Sequence, residues 1–348
     1  MKNYQKHTIV LLLISFLFST EINGNGTTAA NFLEMDIGSA ATAMGGAYVS
    51  VANDISAAYW NPAGLAYVKN RQAIFMYQPW VLGISNLYTG VAINYRYYGT
   101  LAVTMNYLDY GDEAVTTVSE PEGNGEMYSA SEFAATISYG RRLVNWFSFG
   151  ASAKYVSSSI WHSNASAMAF DFGALVTTGF FSPTGNNNQG MKIGMSISNY
   201  GTRMKYDGID LMFPIDPYAT NGNFANVEGQ FQTSEWELPL IFRLGFSIQP
   251  IYAEKFRWLL AVDALHPNNN NESINVGNEF AVTFPGKASF FIRLGYKGIG
   301  LKDSEYGLTG GAGLRYFMSD NNFFDLDYTY KTIGILGDVH LYTIKFSF

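Results

Sequence analysis

DIGSAATAMGGAYVSVANDISAAYWNPAGLAY, residues 36–67, decides how this chain is read. Its only ionisable acids are Asp36 and Asp54, small residues dominate, and the two-residue alternation of the later chain is missing. Residues 39–44 predict one or two helical turns ending near Met44, with Gly38 before them and Gly45-Gly46 behind as a C-cap. Residues 47–51 predict a short extended piece. Asn53-Asp54 offers side-chain oxygens to cap a second short helix over 55–59, just before Trp60. Asn61-Pro62-Ala63-Gly64, leading into Leu65, predicts a tight turn in which Pro fixes φ and Gly is free to take φ > 0. A compact apolar segment that is not sheet needs something to bury it. We read it as a plug, residues 26–70, inside a β-barrel formed by residues 71–348.

Composition points the same way. Charged residues make up 14% of the 348-residue chain, against roughly 25% in soluble domains, and aromatics reach 16%. With 35 Gly, this suits a membrane barrel with aromatic girdles and small residues facing a lumen. The net charge of −7 is spread without runs and suggests no nucleic-acid surface. Without cysteine there is no disulfide, thiolate chemistry or cysteine-linked lipid anchor. Lys2 and Lys6, the apolar run 9–18 and polar 19–21 read as a secretory signal peptide, taken as residues 1–25. No later run approaches the ~20 apolar residues of a transmembrane helix. Strands are the remaining way to cross.

From residue 71 onward 14 strands are predicted, over 72–80, 88–98, 100–108, 132–142, 145–158, 167–181, 189–199, 236–250, 255–265, 273–284, 287–297, 308–318, 322–331 and 339–348. Each has about the length a tilted strand needs to cross the hydrocarbon, and an even number closes antiparallel. In 287–297 one parity holds Ala288, Phe290, Ile292, Leu294 and Tyr296, the other Ser289, Arg293 and Gly295. In 236–250, Leu238, Leu240, Phe242, Leu244, Phe246 and Ile248 oppose Arg243, Gly245 and Ser247. Arg96, Lys154, Asp171, Lys192, Arg243, Asp263, Glu279, Arg293, Arg315, Asp325, Asp327 and Lys345 all share the parity of the small residues. A lipid-facing charge near the midplane would cost ~2–4 kcal/mol, so this parity marks the lumen. Leu175, Ile241, Leu259 and Phe291 are apolar exceptions on lumen parity, candidates for contact with the plug. The lumen charges read either as mutual neutralisation anchoring the plug or as the lining of a path.

Connections after even strands are mostly tight and those after odd strands longer, the habit of periplasmic turns and external loops. The longest loops are 201–235 and 109–131. Trp161, Phe213, Trp236 and His266 are the candidate partner-contacting residues at the external side. The tail LYTIKFSF, 341–348, resembles the C-terminal signal of outer-membrane barrels, or is simply a last strand.

Enzyme chemistry finds little support. There is no His-Glu-x-x-His or paired-His spacing, so no metal site is expected. Asp263 with His266 is a weak hydrolase pair, and His266 with 268–272 a weak Ca²⁺ loop. Gly307-Leu-Thr-Gly-Gly-Ala-Gly313 lacks the Lys-Ser/Thr of a phosphate loop. No catalytic residue and no cofactor is assigned.

The run from Gly38 to Leu65, with Asn61-Pro62-Ala63-Gly64 near its end, resembles the N-terminal signature of the PorV/PorQ proteins, within the wider FadL-like group of outer-membrane barrels. It departs from that pattern at Ala40-Ala41 and at Asn53-Asp54-Ile55. Weaker matching patches are Asp263-Ala264-Leu265-His266-Pro267-Asn268, continuing through Glu272, Asn275, Gly277 and Glu279, and the tail 328–348. The resemblance implies a 14-stranded antiparallel outer-membrane barrel of a Gram-negative bacterium, working in type IX protein secretion. Its partners would be the bilayer, secretion components and cargo bearing a C-terminal sorting domain. The alternative it carries is a FadL-like channel for long-chain fatty acids or other hydrophobic small molecules.

Overall fold

A computed structural model describes residues 24, 26–216, 220, 227–302, 304–319 and 322–348; apart from Gly24, the expected signal peptide lies outside them. Fourteen antiparallel strands form one closed wall: β1 (Gln72–Pro79), β2 (Ser85–Asn94), β3 (Thr100–Ala114), β4 (Met127–Val144), β5 (Phe147–Ile160), β6 (Ser163–Thr177), β7 (Lys192–Gly201), β8 (Ile241–Tyr252), β9 (Phe256–Pro267), β10 (Ser273–Phe284), β11 (Ala288–Ile299), β12 (Leu308–Phe317), β13 (Phe323–Thr332) and β14 (Asp338–Ser347). Each pairs with its sequence neighbours, and β1 closes on β14 with Gln72 opposite Ser347 and Tyr77 opposite Tyr342. No helix among the described residues is long and apolar enough to cross a membrane. Closure matters because a bilayer offers no water to an unpaired backbone group.

The wall is inside-out relative to a soluble protein. On β11, Phe290, Ile292 and Leu294 point outward at 50%, 60% and 54% exposure, while Ser289, Arg293 and Gly295 face a buried interior. On β4, Ile137 and Tyr139 are exposed and Thr136 and Ser138 buried. On the same parity Lys154, Asp171, Arg243, Asp263, Glu279 and Arg293 are all buried, and Arg315 is partly buried.

Several local expectations change. Arg96 is not on the wall: β2 starts earlier and ends at Asn94, so Arg96 sits exposed in the following turn. There it adopts φ 50°, its N–H donating to Asn94 Oδ1 at 2.6 Å. The strand expected from residue 236 begins at Ile241. Ahead of it Leu238 turns inward and joins an apolar cluster with Phe32 and Leu33, so Leu238 is not lipid-facing. Trp236 therefore lies before the strand, bridged to Met204. Trp161 and His162 form a two-residue turn between β5 and β6, so that connection is short, whereas the even-strand connection 178–191 is long. β3 to β6 run 14–18 residues and project beyond the shorter strands.

Replacing Ile292 by Arg puts a charge on the outer face near mid-strand. The expected loss is about 2–4 kcal/mol, measured by urea unfolding of the barrel refolded into vesicles, whereas Leu336→Arg in an exposed connection should leave the midpoint unchanged.

Candidate functional site

The segment between residues 30 and 68 lies within the barrel, and most of its local structure is as the sequence suggests. A short helix, α1 (Ser39–Ala43), stops at Gly45 and Gly46, both at positive φ (66° and 77°). A second, α2 (Ala57–Trp60), starts later than expected, from Ser56 and without a side-chain cap, because the Asp54 Oδ1 is taken by the Ser56 N–H at 2.9 Å and the Ser56 hydroxyl at 2.5 Å. A 3₁₀ helix over Pro62–Tyr67 has Asn61 as N-cap, its Oδ1 accepting the Ala63 N–H at 3.1 Å. Residues 47–51 also differ, forming a turn rather than an extended piece. So does Gly64, which is outside the positive-φ region: a Cβ there would stand 2.3 Å from the Ala52 carbonyl oxygen, so close approach explains it.

This segment holds itself together through its polar atoms. Trp60 Nε1 donates to the Ile37 carbonyl (2.8 Å) and the Tyr59 hydroxyl to the Leu33 carbonyl (3.1 Å). Asn61 Nδ2 donates to the Val49 carbonyl (2.9 Å) and, across to the wall, to the Ala174 carbonyl (3.0 Å). Ile37, Met44, Ile55, Trp60 and Leu65 form the apolar core with wall residues Ile74, Met76, Leu259 and Leu341. Of the four apolar lumen exceptions, Leu259 joins that core. Phe291 instead packs under the guanidinium groups of Arg293 and Arg315, 4.7 and 5.8 Å from its centroid.

The wall receives the segment on glycines. Gly140, Gly150 and Gly173 face one another across β4, β5 and β6. A Cβ on Gly150 would stand 2.2 Å from the Pro62 carbonyl carbon, and one on Gly173 2.1 Å from Asn61 Oδ1. Farther round, Gly194 meets Val49, paired Gly277 and Gly295 meet Met44 and Gly45, and Gly311 meets Ala43, all closer than a side chain permits. The small lumen parity noticed in the sequence is the imprint of the enclosed backbone. Wall hydroxyls complete the fit: Thr309 and Thr329 donate to the Ala43 and Ser39 carbonyls, and Thr343 Oγ1 accepts the Ser39 N–H at 2.9 Å. The Gly38 N–H meets Met76 Sδ at 3.0 Å.

Charge anchors it at three levels. Asp36 lies 2.8 Å from Lys297 and 3.5 Å from Lys331. Asp263 of the wall, fully buried, accepts the backbone N–H groups of Tyr48 (2.7 Å) and Val49 (2.9 Å). Asp54 lies 2.7 Å from Lys345, which also reaches Asp325 and Asp327 at 3.5 and 3.6 Å. From Asp327 a chain of pairs runs through Arg293 (2.6 Å) to Glu279 (2.7 Å) and on to Arg257, while Arg315 holds Asp325 at 2.7 Å. Burial alone would raise the Asp54 carboxyl, but Lys345 and the Ser56 donors outweigh it and hold it at about 2.

Other predicted positions fall elsewhere. Lys154 and Asp171 pair at 2.8 Å and clasp Asn199, a left-handed residue (φ 66°) in β7. Arg243 donates to Ser198 Oγ at 3.0 Å and lies under Tyr59 and Trp60, about 5.8 and 5.7 Å from their centroids. Trp161, Phe213, Trp236 and His266 lie on connections or strand ends of the long-loop rim. Phe213 stacks on Phe231 at 4.4 Å within a hairpin, Met212–Ile215 with Val227–Gln230, and His266 Nδ1 meets Glu272 Oε1 at 3.0 Å. Sequence reading missed the partners of Asp36. Lys297 and Lys331 share the parity of Arg293 and of Asp325 and Asp327, the signal that would have placed them.

Two cavities flank the segment. One, of about 80 Å³ near the long-loop rim, is lined by Glu34, Asp36, Arg243, Asn275 and Lys297 among others. The other, about 320 Å³, opens toward the short-turn rim among Asp54, Lys192, Gln249, Arg257, Arg293 and Lys345. Both are charged. Among the described residues no group of His, Cys, Asp and Glu is arranged to hold a metal ion.

Residues 19–216 match a family model described as "Type IX secretion system protein PorV". Comparison with curated proteins gave no match. Among solved structures, the CymD monoaromatic hydrocarbon channel superposes with a TM-score of 0.56 at 11% identity, covering 90% of this chain and 97% of that one. The Pseudomonas putida toluene transporter TodX gives 0.55 at 11% identity (90% and 98% covered), and the Ralstonia pickettii toluene transporter TbuX 0.53 at 10% (89% and 97%). At such identity these likenesses establish the fold alone, a closed antiparallel outer-membrane β-barrel.

Two changes test the seat. Gly150→Ala should destabilise docking by about 1–3 kcal/mol through overpacking, read as faster proteolysis of the folded barrel within residues 62–70, while Gly307→Ala, with open space around it, should not. Asp54→Asn removes one side of a buried pair, a change worth about 3–5 kcal/mol, and should turn a silent barrel into a conducting one in planar bilayers. Because the native carboxyl is held below its unfolded value of about 3.9, its contribution is present above that pH and is lost only as pH falls through about 2. The conductance difference between wild type and Asp54→Asn should therefore persist at pH 4.

Proposed function

The chain belongs to the PorV family of type IX secretion system proteins, and from that premise we propose that the barrel receives secreted proteins at its long-loop rim and hands them on. The cargo would carry the C-terminal sorting domain used by that pathway, and the contacts would be made by the loops 201–235 and 109–131 with Trp161, Phe213, Trp236 and His266. In this role the protein sits in the outer membrane of a Gram-negative bacterium, is not an enzyme, and uses no cofactor.

The observation that carries this reading is the filled lumen. The enclosed segment is seated on wall glycines and tied by Asp36, Asp54 and Asp263. The larger cavity left beside it is walled mainly by lysine, arginine, carboxylate and amide side chains, and the small one mixes Trp60, Ile241, Leu265 and Leu301 with Glu34, Asp36, Arg243 and Lys297 in only about 80 Å³. A path for hydrophobic molecules needs a mostly apolar pocket with few polar groups. The interior supports a scaffold, and interaction is left to the rim. There the β3–β6 sheet projects, and the hairpin at 212–230 exposes Met212, Ile215, Val227 and Phe231.

The test is purification of the tagged barrel from native outer membranes in mild detergent, with mass spectrometry of bound proteins and lipids. Recovery of proteins sharing a C-terminal domain, reduced at least about tenfold by Phe213→Ala/Trp236→Ala, is expected, given that a few aromatics carry most interface energy. Recovery of the barrel alone with a stoichiometric fatty acid or other hydrophobe would instead establish the channel reading.

A further inference from the structure

The cavity at the short-turn rim has chemistry that anchoring the lumenal segment does not use. It is lined by five cationic side chains, Lys192, Arg257, Arg293, Arg315 and Lys345, against three carboxylates, Asp54, Glu254 and Glu279. That excess is positive in a chain whose net charge is −7. Within it, Arg293, Arg315 and Lys345 are held by the network with Asp325, Asp327 and Asp54. Glu279 is held between Arg257 and Arg293.

What remains is concentrated at one side. Lys192 opens β7 opposite Ser247 of β8, and Gln249 follows two residues on. Arg257 stands on the adjoining β9. Among the described residues Lys192 meets no carboxylate. Its ammonium lies 5.3 Å over the Tyr67 ring, which also carries the Arg142 guanidinium at 4.6 Å. Gln249 is only 9% exposed, yet its Oε1 has no hydrogen-bond partner, and neither has the buried Nε of Arg257. A buried amide oxygen without a partner costs about 1–3 kcal/mol, and the Lys192 ammonium, with no carboxylate against it, stands among the Arg142 guanidinium on the same ring and Arg257, whose own charge is met by Glu279. Both penalties are relieved by one kind of occupant.

We propose that this cavity is a binding site, facing the short-turn side, for a small organic oxyanion. A carboxylate or phosphate would lie against Lys192 and the Arg257 Nε–H, with an O–H or N–H of the same molecule donating to Gln249 Oε1. The volume of about 320 Å³ suits a small polar molecule. The charged walls exclude an alkyl chain, so this is not a fatty-acid pocket. The site stands independently of the cargo reading, because it lies at the opposite rim from the proposed partner loops.

The test uses the full barrel in detergent at low ionic strength, titrated calorimetrically with citrate and, separately, with glycerol 3-phosphate. Saturable binding of at least one is expected, and which one binds assigns the head group. Lys192→Gln should weaken it about tenfold or more and Lys192→Arg should largely restore it. Gln249→Leu should weaken it several-fold, and Arg203→Gln at the far rim should leave it unchanged. Lys192→Gln breaks no ion pair, and unaltered heat-modifiable mobility in electrophoresis will show that the variant barrel is folded. No saturable binding of either anion, or undiminished binding in folded Lys192→Gln, overturns the proposal.

Discussion

Everything in this molecule follows from the cost of an unpaired backbone amide in hydrocarbon. A strand placed in a bilayer must find partners on both edges, and only a closed sheet provides them. The pairing of β1 with β14 is therefore the contact that makes the other pairings possible. Closure also fixes what each side chain can be. The outer parity must be apolar, as at Phe290, Ile292 and Leu294, and whatever is polar goes to the inner parity, as at Ser289 and Arg293. A barrel of 14 strands encloses more space than wall side chains alone fill, so the interior poses a second problem: how to occupy it.

The chain solves that problem with its own N-terminal segment, and the solution has a steric and an electrostatic half. Backbone approaches wall where glycines leave room, at Gly140, Gly150, Gly173 and Gly295. Taking Asp36, Asp54 and Asp263 out of water is expensive unless each is matched. Asp36 and Asp54 are matched by Lys297, Lys331 and Lys345, whereas Asp263 is met on Oδ2 alone, by two backbone N–H groups. Apolar packing of Trp60, Ile55 and Met44 supplies area but little direction, whereas the paired carboxylates fix where the segment sits and in what register.

Much of this was legible in the sequence because membrane burial acts on single residues with a period of two. A charge on the wrong face is so costly that parity alone placed Lys154, Asp171, Arg243, Asp263, Glu279 and Arg293 in the lumen. Parity fails where the chain leaves the wall. Arg96 was lost to a turn, and Leu238 was lost because residues ahead of Ile241 bend inward to meet Phe32 and Leu33. The stop of the first helix at Gly45-Gly46 was readable from capping chemistry, which is local, while the second helix starts later than expected and without the Asn53-Asp54 cap. The partners were not readable. That Asp36 faces Lys297, 261 residues on, is a property of barrel closure that no local rule contains.

The hydrocarbon channels that share this fold and the secretion family to which the chain belongs show how little a barrel wall says about traffic through it. The wall answers to the bilayer, and it is nearly the same problem in both. What differs from one use to another is the filling and the rims. Here the filling is ionically matched along its length, from Asp36 near one rim to Asp54 near the other, so displacing it would expose several charges at once. An interior held that firmly has little to gain from a hydrophobic passenger. The variable chemistry is left to the surfaces the lipid does not touch, the projecting sheet at one end and the unbalanced cations at the other.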